Sequence, residues 1–355
     1  MLDSTLNTMT PTVNYPAGTV INDRYEFRRK LGSDGQVYEA HDRVLDKLVA
    51  LKVLHPVGEV PQHWDEARRL EQLRSRFIVP VLNADVVISS DLRYIVTELL
   101  EAGDLEAEAA ESGLGLRDAV RSAQQIAAGI DRIHAAGMVH RDIKPANVLR
   151  RADCAVVSDL EFCCLPDALG RAAPNGSVCT VAPEALRSDG YCSKTSDIYS
   201  LGATAFYLLS GQYPVDHRIP KSEQKSLIVA GRVRSLRDMA PHVPLATVRV
   251  VTRALSVDPK QRHPKAADFG NDIVHSLRNG RDWLRTRHQG HVYCLEGSRH
   301  NRQGAVQVCC VSDGTALVVS ARHAGNGRRI ASVADVRTTA AKLSAEVRKI
   351  IAKMP

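Results

Sequence analysis

The chain has 355 residues, 44% of them hydrophobic and 25% charged, with a formal net charge of +7. Those values suit one large globular domain plus a smaller unit and exclude a disordered or low-complexity chain. No apolar run approaches the roughly 18 residues of a membrane span, the first residues lack a charged-then-apolar signal pattern, and the eight cysteines fit no disulfide framework, so a cytoplasmic protein with reduced thiols and no membrane attachment is expected.

Residues 1–18 are polar, hold two prolines and show no apolar period, and read as a flexible leader. From Thr19 the chain alternates as strands do, in Tyr25 to Arg28, Val37 to Ala40 and Val49 to Val53. Trp64 to Leu73 carries apolar residues at 67, 70 and 73, which predicts a helix, and Val86 to Leu100 returns to strand character. Beyond Gly103 the pattern turns helical. Ala119 to Ala135 places Val120, Ala123, Ile126, Ala127, Ile130 and Ile133 on one face; Asp197 to Leu209 and Val248 to Leu255 are further helices. After about residue 280 the style changes. Val292 to Leu295, Ala305 to Val311 and Ala316 to Ser320 predict short strands, and Ala340, Leu343, Val347 and Ile350 form a helical stripe, a compact β-then-α module over 280–355.

The basic excess belongs to this end. Residues 271–355 hold 14 Lys and Arg against 6 Asp and Glu, a balance of +8, which leaves residues 1–270 near −1. A basic segment suits an acidic partner or nucleic acid, but few aromatics are present for base stacking. The reading preferred over nucleic acid is a module that recruits the substrate or regulates the main domain. His288, His291, Cys294, His300, Cys309 and Cys310 also lie here. Their His-x2-His-x2-Cys spacing is loose and no CxxC pair occurs, so strand or surface positions are expected for them rather than a metal site.

The most specific stretch is His140-Arg141-Asp142-Ile143-Lys144-Pro145-Ala146-Asn147. It puts on one loop a carboxylate that can accept a hydroxyl proton (Asp142), a cation that can neutralise a transferring phosphate (Lys144) and a carboxamide that can hold a divalent metal (Asn147). The string resembles the catalytic loop of protein kinases, and Lys144-Pro145 resembles the Ser/Thr-specific branch. Over roughly residues 19–275 the chain resembles the bacterial, eukaryotic-like Ser/Thr protein kinases. Leu31-Gly32-Ser33-Asp34-Gly35-Gln36-Val37 is similar to their glycine-rich loop, two residues shorter than GxGxxGxV and without the middle glycine. Lys52 in Val49-Ala50-Leu51-Lys52 matches the lysine that contacts the α- and β-phosphates, with Glu66 as its expected carboxylate partner and Glu71 as the runner-up. Thr97-Glu98-Leu99-Leu100 takes the place of the hinge, whose backbone bonds the adenine edge; Val37, Ala50 and Leu149 match the apolar positions around the ring.

Asp159 in Val157-Ser158-Asp159-Leu160-Glu161 stands at the DFG aspartate, with Leu for Phe and Glu161 for Gly. Glutamate resists the backbone angles that glycine allows, and its side chain is expected to face solvent. Ala182-Pro183-Glu184 matches the APE motif, Arg262 its ion-pair partner, and Asp197 the buried aspartate that braces the catalytic loop.

The resemblance implies an α+β bilobal fold, with a β-rich N-lobe over 19–100, a helical C-lobe over 101–279 and the extension over 280–355. It implies a cytoplasmic Ser/Thr kinase that moves the γ-phosphoryl of ATP to a protein hydroxyl. Asp142, Lys144 and Lys52 are the expected catalytic residues. Gly32, Gly35, Val37, Ala50, Lys52, Glu66, Glu98, Leu100 and Leu149 are expected to bind nucleotide, and Asn147 and Asp159 to hold Mg2+, with Mn2+ as a substitute. The alternative is a pseudokinase scaffold that binds nucleotide or a partner without turnover. Residues 163–176 hold no Ser, Thr or Tyr, so activity independent of phosphorylation there is expected. Ser177 is then a positioning hydroxyl, and Arg141, with no phosphate to clamp, is expected to be idle or paired to an acid.

Overall fold

A computed structural model describes residues 14–31, 36–54, 73–88, 90, 92–277, 280–299 and 304–354. The chain divides into two units, residues 1–101 and residues 102–355.

The first unit is built on a six-stranded antiparallel sheet: β1 (Val20–Ile21), β2 (Tyr25–Leu31), β3 (Val37–Asp42), β4 (Lys47–Leu54), β5 (Val81–Val86) and β6 (Arg93–Glu98), in the order β1-β2-β3-β4-β6-β5. The alternation seen in the sequence becomes a two-faced sheet. Tyr25, Phe27, Tyr38, Val49, Leu51, Val53, Tyr94 and Val96 bury one face. Ala50 and Lys52, the intervening residues of β4, are half-buried on the other. The helix expected over Trp64 to Leu73 lies outside the described residues, except for its last residue.

In the second unit, α1 (Leu105–Ala109) begins at Asp104, whose carboxylate accepts the Ala107 N–H at 2.8 Å. The 20-residue α2 (Leu116–Ala135) buries the predicted apolar stripe. A two-stranded ribbon, β7 (Val148–Arg151) and β8 (Cys154–Val157), follows the catalytic-loop sequence. Then α3 (Lys194–Ser210) is buried from Ser196 to Ser210 and starts with a capping box between Ser193 and Ser196. The shorter α4 (Lys221–Val229), α5 (Leu236–Met239), α6 (Leu245–Ala254) and α7 (Ala266–His275) complete the helical part.

The extension folds as a five-stranded antiparallel sheet with one helix. Its elements are β9 (Asp282–Thr286), β10 (His291–Ser298), β11 (Val306–Asp313), β12 (Ala316–His323), β13 (Val336–Thr338) and α8 (Leu343–Ala352), in the order β13-β12-β11-β10-β9. Val347, Ile350 and Met354 pack on Trp283, Leu295, Val308, Cys310, Val319 and Ala321. A Cβ at Gly297 would lie 2.7 Å from the Trp283 ring, so glycine lets the indole lie across β10. β9 and β13 were not legible in the sequence: β9 buries only Trp283 fully, and β13 spans three residues. Asp282 accepts the Arg117 N–H at the start of α2 (2.9 Å), and α8 sends Ser344 to the Asp238 carbonyl (2.7 Å) and Arg348 to the Arg237 carbonyl (2.8 Å).

His242, just beyond α5, is buried with its Nδ1 unpartnered. Burial, helped by the Arg285 charge, lowers its pKa to about 4. In the unfolded chain an imidazole titrates near 6.5, so between these values the unfolded state holds a proton that the folded state does not. Stability therefore falls as pH drops through that window, by up to roughly 3 kcal/mol. His242→Leu should remove that loss, read as a smaller drop in urea midpoint between pH 7 and pH 5 than wild type shows. Equal drops would mean that His242 is not the titrating group.

Candidate active site

The site grows from one buried carboxylate. Asp197 lies in the first turn of α3 and is 1% exposed. Its Oδ2 accepts the His140 N–H (2.8 Å) and meets His134 Nε2 (2.8 Å), and its Oδ1 accepts the Arg141 N–H (2.9 Å). Burial acts to raise the Asp197 pKa, but these donors and the His134 and His140 charges outweigh it and hold the carboxyl below its usual value. The brace fixes a costly backbone shape: Arg141 has φ +73°, a left-handed conformation worth about 1–3 kcal/mol for a side-chain-bearing residue. That turn delivers the next residue, Asp142.

Asp142 is 3% exposed and both its oxygens are engaged. Oδ1 accepts the Ser177 N–H (3.0 Å) and Oγ–H (2.9 Å). Oδ2 accepts Asn147 Nδ2 (3.0 Å) and pairs with Lys144 Nζ (2.8 Å). Lys144 Nζ also donates to Ser177 Oγ (3.1 Å). Burial again pushes the Asp142 pKa up, and Lys144 and Ser177 pull it below the usual carboxylate value, so the group is ionised at neutral pH. Asn147 spends its Nδ2 on Asp142, donating to the backbone carbonyl at 2.8 Å as well. With the amide nitrogen so engaged, Oδ1 is the atom suited to a hard cation.

Asn147 is tied in turn to the β8 end, where Ser158 donates its N–H (2.9 Å) and Oγ–H (3.0 Å) to the Asn147 carbonyl. Asp159 follows with φ 55°, ψ 58°. Glu161 sits half-buried in the 3-10 turn Leu160–Phe162 and has no positive φ, so this position asks of glutamate nothing that only glycine gives. It is less open to solvent than expected.

Arg141 is neither idle nor paired to an acid, which corrects the sequence reading. Its Nε donates to the Phe162 carbonyl (2.7 Å) and its Nη1 to the Ala173 carbonyl (3.1 Å). Two backbone oxygens of the 159–184 segment occupy the guanidinium. Val139 and Cys164 exchange backbone hydrogen bonds (2.9 and 3.1 Å), adding a second tie. At Gly176, φ is +120° and a Cβ would come within 2.7 Å of the Arg141 carbonyl, so only glycine lets Ser177 approach Asp142. The segment ends at Glu184, which is bidentate with Arg262 (2.7 Å to each oxygen) and accepts Ser196 Oγ–H (2.7 Å).

Among the expected site residues, Asp142, Lys144 and Asn147 are thus joined by hydrogen bonds, with Asp159 one residue beyond Ser158. Leu149 is half-buried in β7. In the first unit, Val37 lies directly opposite Lys52 in the β3–β4 register, and Ala50 shares the Lys52 face. Glu98 closes β6 and Leu100 lies half-buried just after it. Gly32, Gly35, Glu66 and Glu71 lie outside the described residues. The sequence reading missed His134. Its signal was present: a polar residue at the inner end of the α2 stripe, one turn beyond Ile130.

A family model described as protein kinase domain matches residues 25–270. Serine/threonine-protein kinase PrkC of Bacillus subtilis is 30% identical over 271 residues, covering 72% of this chain and 41% of that protein. CBL-interacting protein kinase 12 of Oryza sativa is 34% identical over 262 residues, covering 69% and 46%. Probable serine/threonine-protein kinase PknB of Lactococcus lactis is 30% identical over 277 residues, covering 73% and 43%. The chain spans less than half the length of these relatives.

Arg262 is 2% exposed and Glu184 3%. Arg262→Ala strands the Glu184 charge and should cost about 3–5 kcal/mol in urea unfolding. A cost of about 0–1 kcal/mol, the value for an exposed pair, would show that the pair is solvated.

Proposed function

The chain belongs to the protein kinase family, and on that premise we propose that it transfers the γ-phosphoryl of ATP to a serine or threonine hydroxyl of a protein. The observation that carries this reading is the hydrogen-bonded set Asp142, Lys144, Asn147 and Ser177, held on the Asp197 brace. Nothing in the described residues favours the scaffold alternative.

In the proposed mechanism Asp142 orients the attacking hydroxyl and takes its proton as the oxygen bonds to phosphorus and the bond to the β-phosphate oxygen breaks. Its low pKa makes it a weak base, so it takes the proton late and acts first by alignment. The Ser177 hydroxyl on Oδ1 marks where a substrate hydroxyl would be received. Lys144 neutralises charge on the transferring group while keeping Asp142 ionised. Lys52 engages the α- and β-phosphates, with Val37, Ala50 and Leu149 against the adenine and the Glu98 to Leu100 backbone along its edge. Gly32, Gly35 and Glu66 keep the roles the resemblance implies. Protein kinases use a divalent metal with ATP. Asn147 and Asp159, both oxygen donors, suit Mg2+ or Mn2+, which when bound would neutralise phosphate charge.

No helix among the described residues is long and apolar enough to cross a membrane, and the reading places the chain in the cytoplasm. Residues 280–355, with their excess of Lys and Arg, are the proposed docking or regulatory part.

Two measurements test this. With radiolabelled ATP and Mg2+ or Mn2+, wild type should label itself or a generic protein substrate, and Asp142→Ala and Asp159→Ala should each lose that labelling by at least about 100-fold. Absence of labelling with either metal, despite nucleotide binding, would point to the scaffold. Because backbone carbonyls already occupy Arg141 and Thr180 is buried, phosphatase-treated protein should keep its activity. An essential phosphate at Ser177 or Thr180, found by phosphosite mapping of active protein, would sink that expectation.

A further inference from the structure

Four side chains remote in sequence from the catalytic loop converge on the extension sheet. The β9–β10 hairpin turns over His288 to His291, where the His291 N–H donates to the His288 carbonyl (3.1 Å) and Gly290 takes φ +76°. That turn holds the two imidazoles together, ring centroids 5.4 Å apart. In the β10–β11 register Cys294 lies directly opposite Cys309, so their side chains share a face.

Residues three apart on a regular strand point to opposite faces. His291 and Cys294 nevertheless meet, because the β10 register shifts between His291 and Tyr293 and so reverses the alternation there. The result places His291 Nδ1 3.2 Å from Cys294 Sγ and His288 Nδ1 3.3 Å from Cys309 Sγ. All four ligand atoms lie within 4.8 Å of one another. The sequence reading of these residues as strand and surface positions describes Cys310, which faces the module core; His300 lies outside the described residues.

We propose that His288, His291, Cys294 and Cys309 bind one structural Zn2+. The donor set is two imidazole nitrogens and two thiols with no carboxylate, the mixture that selects zinc in a tetrahedral site. Tetrahedral zinc, with bonds of about 2.3 Å to sulfur and about 2.0–2.1 Å to nitrogen, sets N···S edges near about 3.5 Å. The two edges found are within a few tenths of an ångström of that, and the remaining edges, none above 4.8 Å, would shorten as the ion draws the four atoms in. Four protein ligands leave no open position, which makes the site structural rather than catalytic.

Its mechanical role follows from its neighbours. Arg287, beside His288, forms an ion pair with Glu111, and Arg285 donates to the Glu111 carbonyl at 3.2 Å. Zinc would pin the hairpin tip to β11 and so hold both arginines against the loop after α1. The extension is thereby fastened to the helical part at the hairpin as well as at α8.

The test uses the full chain, purified with reductant and without chelator. Elemental analysis should find about one zinc per chain. After removal of zinc, added Co2+ should give the intense thiolate-to-cobalt band and the visible absorption of tetrahedral cobalt, and Zn2+ should bleach both. That readout needs no variant. Cys309→Ser and His291→Asn should lose most of the bound zinc, while Cys310→Ser, next along the strand but facing the core, should keep it. No zinc retained after incubation and dialysis, a Co2+ spectrum without a thiolate band, or a Cys294–Cys309 disulfide in the reduced preparation would each overturn the proposal.

Discussion

The candidate site depends on one buried carboxylate. Asp197 can stay ionised there only because two backbone N–H groups and the His134 ring meet it, and those N–H groups belong to the loop that carries Asp142. Its place in the first turn of a capped helix adds the favourable end of the helix dipole. The same bonds that satisfy the carboxylate hold Arg141 in a left-handed conformation it would not keep alone. The 140–147 loop and α3 are therefore one object: α3 cannot shift without moving Asp142.

From that loop the 159–184 segment is fastened by unlike means. Arg141 holds two carbonyls, Val139 and Cys164 pair as strands do, and Ser177 bonds Asp142 through both N–H and hydroxyl. The Glu184–Arg262 pair closes the far end with both side chains buried. Such a pair adds little net energy over a well-packed apolar one, but neither charge tolerates losing the other. It therefore fixes geometry more than it adds stability. At the Arg141 fork the partners are two neutral backbone acceptors of the same segment.

Much of this is legible in the sequence because chemistry and period are local properties. The order of Asp142, Lys144 and Asn147 on one loop, the α2 stripe and the alternation in β2, β3 and β4 are written in consecutive residues. The assignments of Asp197 and Arg262 rested on matching motif positions, and the buried bonds agree with them. What was missed depends on partners distant in sequence. The partners of Arg141 are not legible, because no local pattern announces two backbone carbonyls as the partners of a guanidinium. β9 is not legible because only Trp283 is fully buried in it, and its place beside β10 depends on Gly297 making room.

The extension shows the division most clearly. The sequence by itself determined that imidazoles and thiols were present there and that strands and a helix would form, since side-chain chemistry and hydrophobic period need no partner. Only the tertiary structure decided that four of those side chains meet. A one-residue shift in β10 chooses which face His291 takes, and the β10–β11 pairing sets Cys294 opposite Cys309. Register is a property of two strands together, and no single stretch of sequence contains it.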